Sequence, residues 1–166
     1  MKTYLFLILL GFFLLGGCKK NNNSCSFQAP TVTATQAERT YIENYLSTNS
    51  IAAQQHPAGF FYKINNPGSG ATANVCSVVK VRYSGFLFSG SLFDSYTGSG
   101  GTSFVLGQLI AGWQLGIPVI KPGGSITLYI PPSLGYGDQP RRDQAGNIVI
   151  PANSYLKFDI ELLDVQ

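Results

Sequence analysis

Leu156-Lys157-Phe158-Asp159-Ile160-Glu161-Leu162 alternates apolar and polar residues without a break. Successive side chains of a strand point to opposite faces, so this stretch is a strand with one face on a core and one in water. The same period recurs toward the N-terminus. Ile126, Leu128 and Ile130 alternate with Thr127 and Tyr129. Val79, Val81 and Tyr83 alternate with Lys80 and Arg82, and the run continues through Phe86 and Phe88 with a bend expected at Gly85. Phe60, Tyr62 and Ile64 alternate with Phe61 and Lys63, and Ser103 to Leu106 reads as a short strand. Between these strands, Leu109, Ile110, Trp113 and Ile117 share one side of a short helix predicted over Leu109 to Ile117, whose extension Pro118 limits. Strands of period two around one short helix predict an α+β domain with an antiparallel sheet.

Composition agrees with a turn-rich β domain. The chain has 166 residues with 19 Gly and 9 Pro, and only 11 Lys+Arg against 8 Asp+Glu. The weak positive charge has no cluster beyond Lys19-Lys20 and Arg141-Arg142, which excludes a nucleic-acid surface. Thr35-Gln36-Ala37-Glu38 is a capping box. It opens a helix predicted from about Ala34 to Ser47, with Ala37, Tyr41, Ile42, Tyr45 and Leu46 on one face.

The first residues bear on the compartment. Lys2 precedes an apolar run from Tyr4 to Leu15, then Leu15-Gly16-Gly17-Cys18 and two lysines. The run has the layout of a secretory signal and is too short to favour a spanning helix. Small residues before a Cys resemble the lipobox of bacterial lipoproteins, in which Cys18 would be lipidated and become the mature N-terminus. An ordinary signal peptide is the alternative. This reading gives a leader at 1–17, a polar tether at 18–33, a helix and linker at 34–58 and the main domain at 59–166. Export leaves Cys25 and Cys76 as an even pair in an oxidising compartment, and a Cys25–Cys76 disulfide is expected; two free thiols are the alternative.

The order of short motifs is more specific than any of them alone. The chain reads Val-Arg-Tyr-Ser-Gly at 81–85, Leu-Phe-Asp-Ser at 92–95, Phe-Val-Leu-Gly-Gln at 104–108 and Leu-Ile-Ala-Gly-Trp at 109–113. It continues with Lys-Pro-Gly-Gly at 121–124, Ile-Pro-Pro-Ser-Leu-Gly-Tyr-Gly at 130–137, Ile-Pro-Ala-Asn-Ser at 150–154 and Phe-Asp-Ile-Glu-Leu-Leu at 158–163. From about Gly59 to Val165 this resembles the FKBP-type peptidyl-prolyl cis-trans isomerase family.

The resemblance implies a twisted antiparallel sheet wrapped around a short helix, with a shallow aromatic pocket between them. It implies that Tyr83, Phe93, Asp94, Ile110, Trp113, Tyr136 and Phe158 form the catalytic pocket, with Leu109, Ile150 and Phe104 completing a substrate-binding wall. Such a site rotates X–Pro bonds by desolvation and differential binding of a twisted amide, and needs no nucleophile, metal or cofactor. Two departures stand out: Thr102 occupies a position where the family often has an aromatic residue, and the 137–149 loop is longer than in the smallest members. The implied partners are proline-containing polypeptides, and the membrane through the lipid anchor, in the bacterial envelope. The short segment before the domain suggests a monomer. The alternative function is a non-catalytic module that holds proline segments as a chaperone or scaffold. The lone His56, beside Pro57, and the Gly98-Ser99-Gly100-Gly101 stretch, which lacks the Lys of a phosphate loop, suggest no further chemistry.

Overall fold

The computed structural model describes residues 25–166; the leader reading and Cys18 lie outside the described residues. In chain order the elements are α1 (Gln36–Thr48), β1 (Gln54–Gln55), β2 (Phe61–Asn66), β3 (Val78–Leu87), β4 (Leu92–Tyr96) and β5 (Thr102–Val105). There follow α2 (Ala111–Gly116), β6 (Gly124–Ile130), β7 (Arg141–Arg142), β8 (Ile148–Ile150) and β9 (Leu156–Val165).

The alternating stretch at the C-terminus is the centre of the sheet. β9 runs antiparallel between β6 and β3, with Phe158 opposite Leu128 on one side and Gly85 on the other. The order β1-β2-β6-β9-β3-β4 is antiparallel throughout, and β5 also pairs with β3. One edge of β3 is therefore shared: β5 takes Val78 to Val81 and β4 takes Tyr83 to Phe86. Leu156, Phe158, Ile160 and Leu162 are buried, while Lys157, Asp159 and Glu161 lie on the wet face. That face is laced by Arg82–Glu161 and Lys157–Asp159 ion pairs, each 2.9 Å.

α2 lies against the inner face through two glycines. A Cβ at Gly112 would fall 2.6 Å from Ile130 Cδ1, and one at Gly116 would fall 2.8 Å from Leu128 Cδ1. The missing side chains let the helix backbone sit directly on β6. Trp113 and Ile117 then reach a core that includes Leu128, Ile130, Leu156 and Phe158.

α1 covers the opposite face. Thr35 and Glu38 form the capping box, with Thr35 N–H donating to Glu38 at 2.8 Å and Glu38 N–H donating to Thr35 at 3.2 Å. Ile42 and Leu46 pack on Phe61 and Tyr129. The buried stripe is narrower than the sequence suggested. Ala37 is exposed and Tyr41 is 53% exposed, because the helix rests on only the strip of sheet around Phe61 and Tyr129. Tyr41 instead stacks on Tyr155 at 4.1 Å, and Tyr45 on Phe88 at 4.0 Å.

Residues 25–33, expected as the end of a tether, contact the body at Cys25 and Phe27. Cys25 is disulfide-bonded to Cys76 with Cα atoms 5.7 Å apart. Phe27 lies over Gly107, where any Cβ would clash with its ring.

The central helix is shorter than predicted. Leu106–Gln108 is a 3-10 turn, Leu109 and Ile110 are extended, and helical geometry begins only at Ala111. Ile110 makes no side-chain cap, and the chain passes into a second 3-10 turn at Ile117–Val119, where Pro118 sits.

Candidate functional site

β3 and β4 meet at a bulge. Gly85 opposes Asp94 and Phe86 opposes Leu92, which leaves Phe93 as an extra residue on β4. Neighbouring side chains in a regular strand face opposite ways, and a bulge re-aims them. Here Phe93 meets Phe158 edge-on at 5.5 Å, while Asp94 accepts a hydrogen bond from the Tyr83 hydroxyl at 2.7 Å. Gly85 makes room for this: a Cβ there would lie 2.7 Å from both the Phe158 and Phe93 rings.

Trp113 forms the floor of a cavity of about 190 Å³ beside this bulge, and is only 4% exposed. Tyr83 and Phe158 stand edge-to-face against its indole at 5.3 and 5.2 Å, with Phe104 at 6.3 Å. Such edge-to-face pairs hold rings in fixed orientations. The indole N–H is buried and has no hydrogen-bond acceptor among the described residues. Asp94 and Tyr136 supply polar groups at the walls, and Leu109 and Ile110 close one side.

The extended backbone at Leu109 and Ile110 sets that side. Leu106 N–H donates to Ser77 at 2.9 Å and Gly107 N–H to Val75 at 2.7 Å, which fixes the turn beneath. Gln114 reaches back to donate to the Leu109 carbonyl at 2.7 Å. Ile110 accepts from Trp113 N–H at 2.9 Å, but its own N–H precedes the helical ladder, so α2 offers it no acceptor. A donor is thus left at the cavity wall.

Phe93 and Ile150 do not line this cavity. They lie in an adjoining hollow with Val149 and Arg141, which shares Asp94 and Tyr136 with the cavity. The 137–149 stretch forms a β7–β8 hairpin, in which Arg141 pairs with Ile150 and its guanidinium lies 4.9 Å over the Tyr136 ring. Arg141 and Gln114 carry no motif that would have marked them. Glu38 was marked only as the capping-box glutamate, yet its carboxylate also accepts from Ser133 N–H and hydroxyl, each at 2.9 Å, three residues before Tyr136.

The electrostatics keep the phenols neutral. Burial, then the bond to Asp94 and its charge, push the Tyr83 hydroxyl far above its ordinary value. Burial also pushes Tyr136 up, with Arg141 pulling down and Asp94 pushing up. Both hydroxyls therefore remain donors at neutral pH. Among the described residues no three His, Cys, Asp or Glu side chains converge as metal ligands. The arrangement is a small, mostly aromatic hollow with a few oriented donors. Its volume is well under the roughly 300–1,000 Å³ of drug-sized sites. It can surround one small ring and hold the carbonyls beside it.

Residues 70–163 match the family model described as FKBP-type peptidyl-prolyl cis-trans isomerase. A probable FKBP-type peptidyl-prolyl cis-trans isomerase of Haemophilus influenzae is 43% identical over 109 residues, covering 65% of this chain and 43% of that one. FkpA of Escherichia coli, an FKBP-type peptidyl-prolyl cis-trans isomerase, is 44% identical over 109 residues, covering 65% of this chain and 38% of that one. The chain thus spans about two fifths of the length of these relatives. The crystal structure of Escherichia coli FkpA superposes with a TM-score of 0.65 at 36% identity, over 78% of this chain and 60% of that one. That of AtFKBP13 gives 0.61 at 34% identity, over 69% of this chain and 99% of that one.

Proposed function

The chain belongs to the FKBP-type peptidyl-prolyl cis-trans isomerase family, and we propose that it accelerates rotation about X–Pro bonds of exported polypeptides. The observation that carries this reading is the Trp113 floor walled edge-on by Tyr83, Phe104 and Phe158.

An X–Pro bond interconverts in tens to hundreds of seconds unaided, against a barrier of about 20 kcal/mol that reflects lost amide resonance. The planar amide is more polar than the twisted one. Moving it from water into the cavity disfavours the planar form more, which lowers the barrier without covalent chemistry. The proline ring packs on the Trp113 indole. The Ile110 N–H and the Tyr136 hydroxyl hold flanking carbonyls. Asp94, fixed by the Tyr83 hydroxyl, faces the rotating amide across the cavity. Phe93 and Ile150, in the adjoining hollow, carry the chain on one side of the proline.

The same reading places the protein on the bacterial envelope, with Cys18 carrying the lipid. Each acyl CH₂ buried contributes ~0.8 kcal/mol, so several chains anchor firmly. Labelling cells with a radioactive fatty acid tests this: Cys18→Ser should remove the label. A monomer is the reading supported by α1, whose apolar residues Ile42 and Leu46 are already used against its own sheet. Light scattering of the detergent-solubilised chain tests it.

The enzyme itself is tested by timing cis-to-trans conversion of a short proline peptide, with and without the macrolide inhibitor of the family. Inhibitor-sensitive acceleration is expected. Peptide binding without acceleration would instead make the chain a holding module, with Thr102, on the edge strand β5, as the first position to examine.

A further inference from the structure

Beside the cavity stands a cation that no described carboxylate neutralises. Arg141 is exposed, and the ion pairs among the described residues are Arg82–Glu161 and Lys157–Asp159. Its neighbour Arg142 is used differently: Nη1 donates to the Gly146 carbonyl at 2.8 Å and holds the hairpin turn. The surrounding carboxylates are engaged elsewhere. Asp94 accepts from Tyr83, Asp138 from Gln139 and Asp143 from Asn147 and Ala145. The guanidinium carbon instead lies over the Tyr136 ring, 4.9 Å from its centre. The ring face attracts the cation and holds it beside the hollow, while its N–H donors remain able to meet an acceptor.

The floor under Arg141 is apolar, from Phe93, Val149 and Ile150, and the hollow shares Asp94 and Tyr136 with the cavity. A residue adjoining a proline in the cavity can reach this hollow across Asp94 and Tyr136. We propose that Arg141 is a specificity-determining residue that selects polypeptides bearing an aspartate or glutamate beside the proline. The assignment rests on the isomerase reading of the cavity. The carboxylate of such a residue meets the guanidinium edge, and its methylene carbons lie on the apolar floor. Asp94, on the inner wall, keeps a second negative charge away from the proline itself and confines the acidic side chain to the outer side. A lysine at the same position meets Arg141 with like charge. The expected order is Glu above Gln above Lys. An exposed pair of this kind is worth up to about fivefold in affinity, and is weakened by salt.

The test uses the purified full chain and peptides that differ only in Glu, Gln or Lys before or after one proline. Two readouts run together: kcat/KM for isomerisation, and binding followed by fluorescence of Trp113, the only tryptophan. A Glu-to-Gln ratio of about three to five in either flanking position is expected at low salt, falling toward one at 0.5 M salt. Arg141→Gln should bring the ratio to about one, and Arg141→Lys should keep part of it. Each ratio is taken within one variant, so a general loss of activity cancels. A ratio near one in the unaltered chain by both readouts, or a ratio that survives Arg141→Gln, overturns the assignment. If binding shows the Arg141-dependent preference while no peptide is turned over, the assignment stands and the isomerase reading fails.

Discussion

The Tyr83 hydroxyl donates to the Asp94 carboxylate at 2.7 Å, across the bulge where β3 and β4 fall out of register. This bond fixes a charge at the edge of an aromatic cavity and occupies the phenol that would otherwise face it. The two side chains should act as a unit. Asp94→Ala should lower kcat/KM by about tenfold or more, since a hydrogen bond to a charged group is worth roughly 1.5–3 kcal/mol. Tyr83→Phe should cost less, and the double variant should fall well short of the product of the two losses. Steady-state rates on one peptide check this; multiplicative losses would show that the two residues act independently.

The raised phenols give a pH prediction. A tyrosine whose folded value lies above its unfolded value contributes stability below the unfolded value, near 10, and loses it as pH rises through the folded value. Tyr83 and Tyr136 both shift upward, chiefly by burial. The rate should therefore stay flat through neutral pH and up to about 10. A decline with a midpoint near 8 or 9 would contradict neutral Tyr83 and Tyr136 donors.

Glu38 predicts the opposite limb. Burial raises its pKa, but hydrogen bonds from Thr35 and Ser133 outweigh this and hold the carboxyl below its ordinary value of 4.5. A depressed carboxylate stabilises the fold above its unfolded value, and that contribution is lost as pH falls through the folded value. Urea midpoints should drop as pH falls below 4.5. In Glu38→Gln the midpoint at neutral pH should be lower and the acid dependence shallower. Equal acid slopes for both chains would remove this role. Because Ser133 leads into Tyr136, the variant should also raise KM more than it lowers kcat.

The disulfide closes a long loop. Cys25 and Cys76 are separated by 51 residues, and on the chain-entropy model such a link contributes about 4 kcal/mol. Reduction, or Cys25→Ser, should lower the urea midpoint accordingly. Titration of the oxidised chain should find neither thiol free; two free thiols would contradict the bond.

How much of this was readable in the chain depends on range. The alternation from Leu156 to Leu162 announced the central strand, because one face meets a core and the other meets water along its length. The ordered motifs pointed to Trp113, Tyr83 and Phe158 as neighbours, and they share one cavity. Short elements were less legible. A six-residue helix such as α2 has almost no periodic signal, so Leu109 and Ile110 read as helical when they are extended. The bulge at Phe93 depends on pairing between strands and leaves no mark in β4 alone. The Glu38–Ser133 contact joins residues 95 apart, and the Arg141–Tyr136 stack depends on the hairpin that returns Arg141 to the site. Contacts between distant segments are absent from any local window.

The central claim is that the Trp113 cavity, with Asp94 and Tyr136 at its walls, performs the rotation. Exchange spectroscopy by NMR on a proline peptide at equilibrium measures the cis–trans rate directly, without a coupling enzyme. The account predicts that the exchange rate rises in proportion to added chain, and that Asp94→Ala and Tyr136→Phe each reduce the slope while the variants remain folded. An exchange rate that stays at the unaided tens-to-hundreds of seconds with folded chain present, or slopes that neither variant changes, would contradict it.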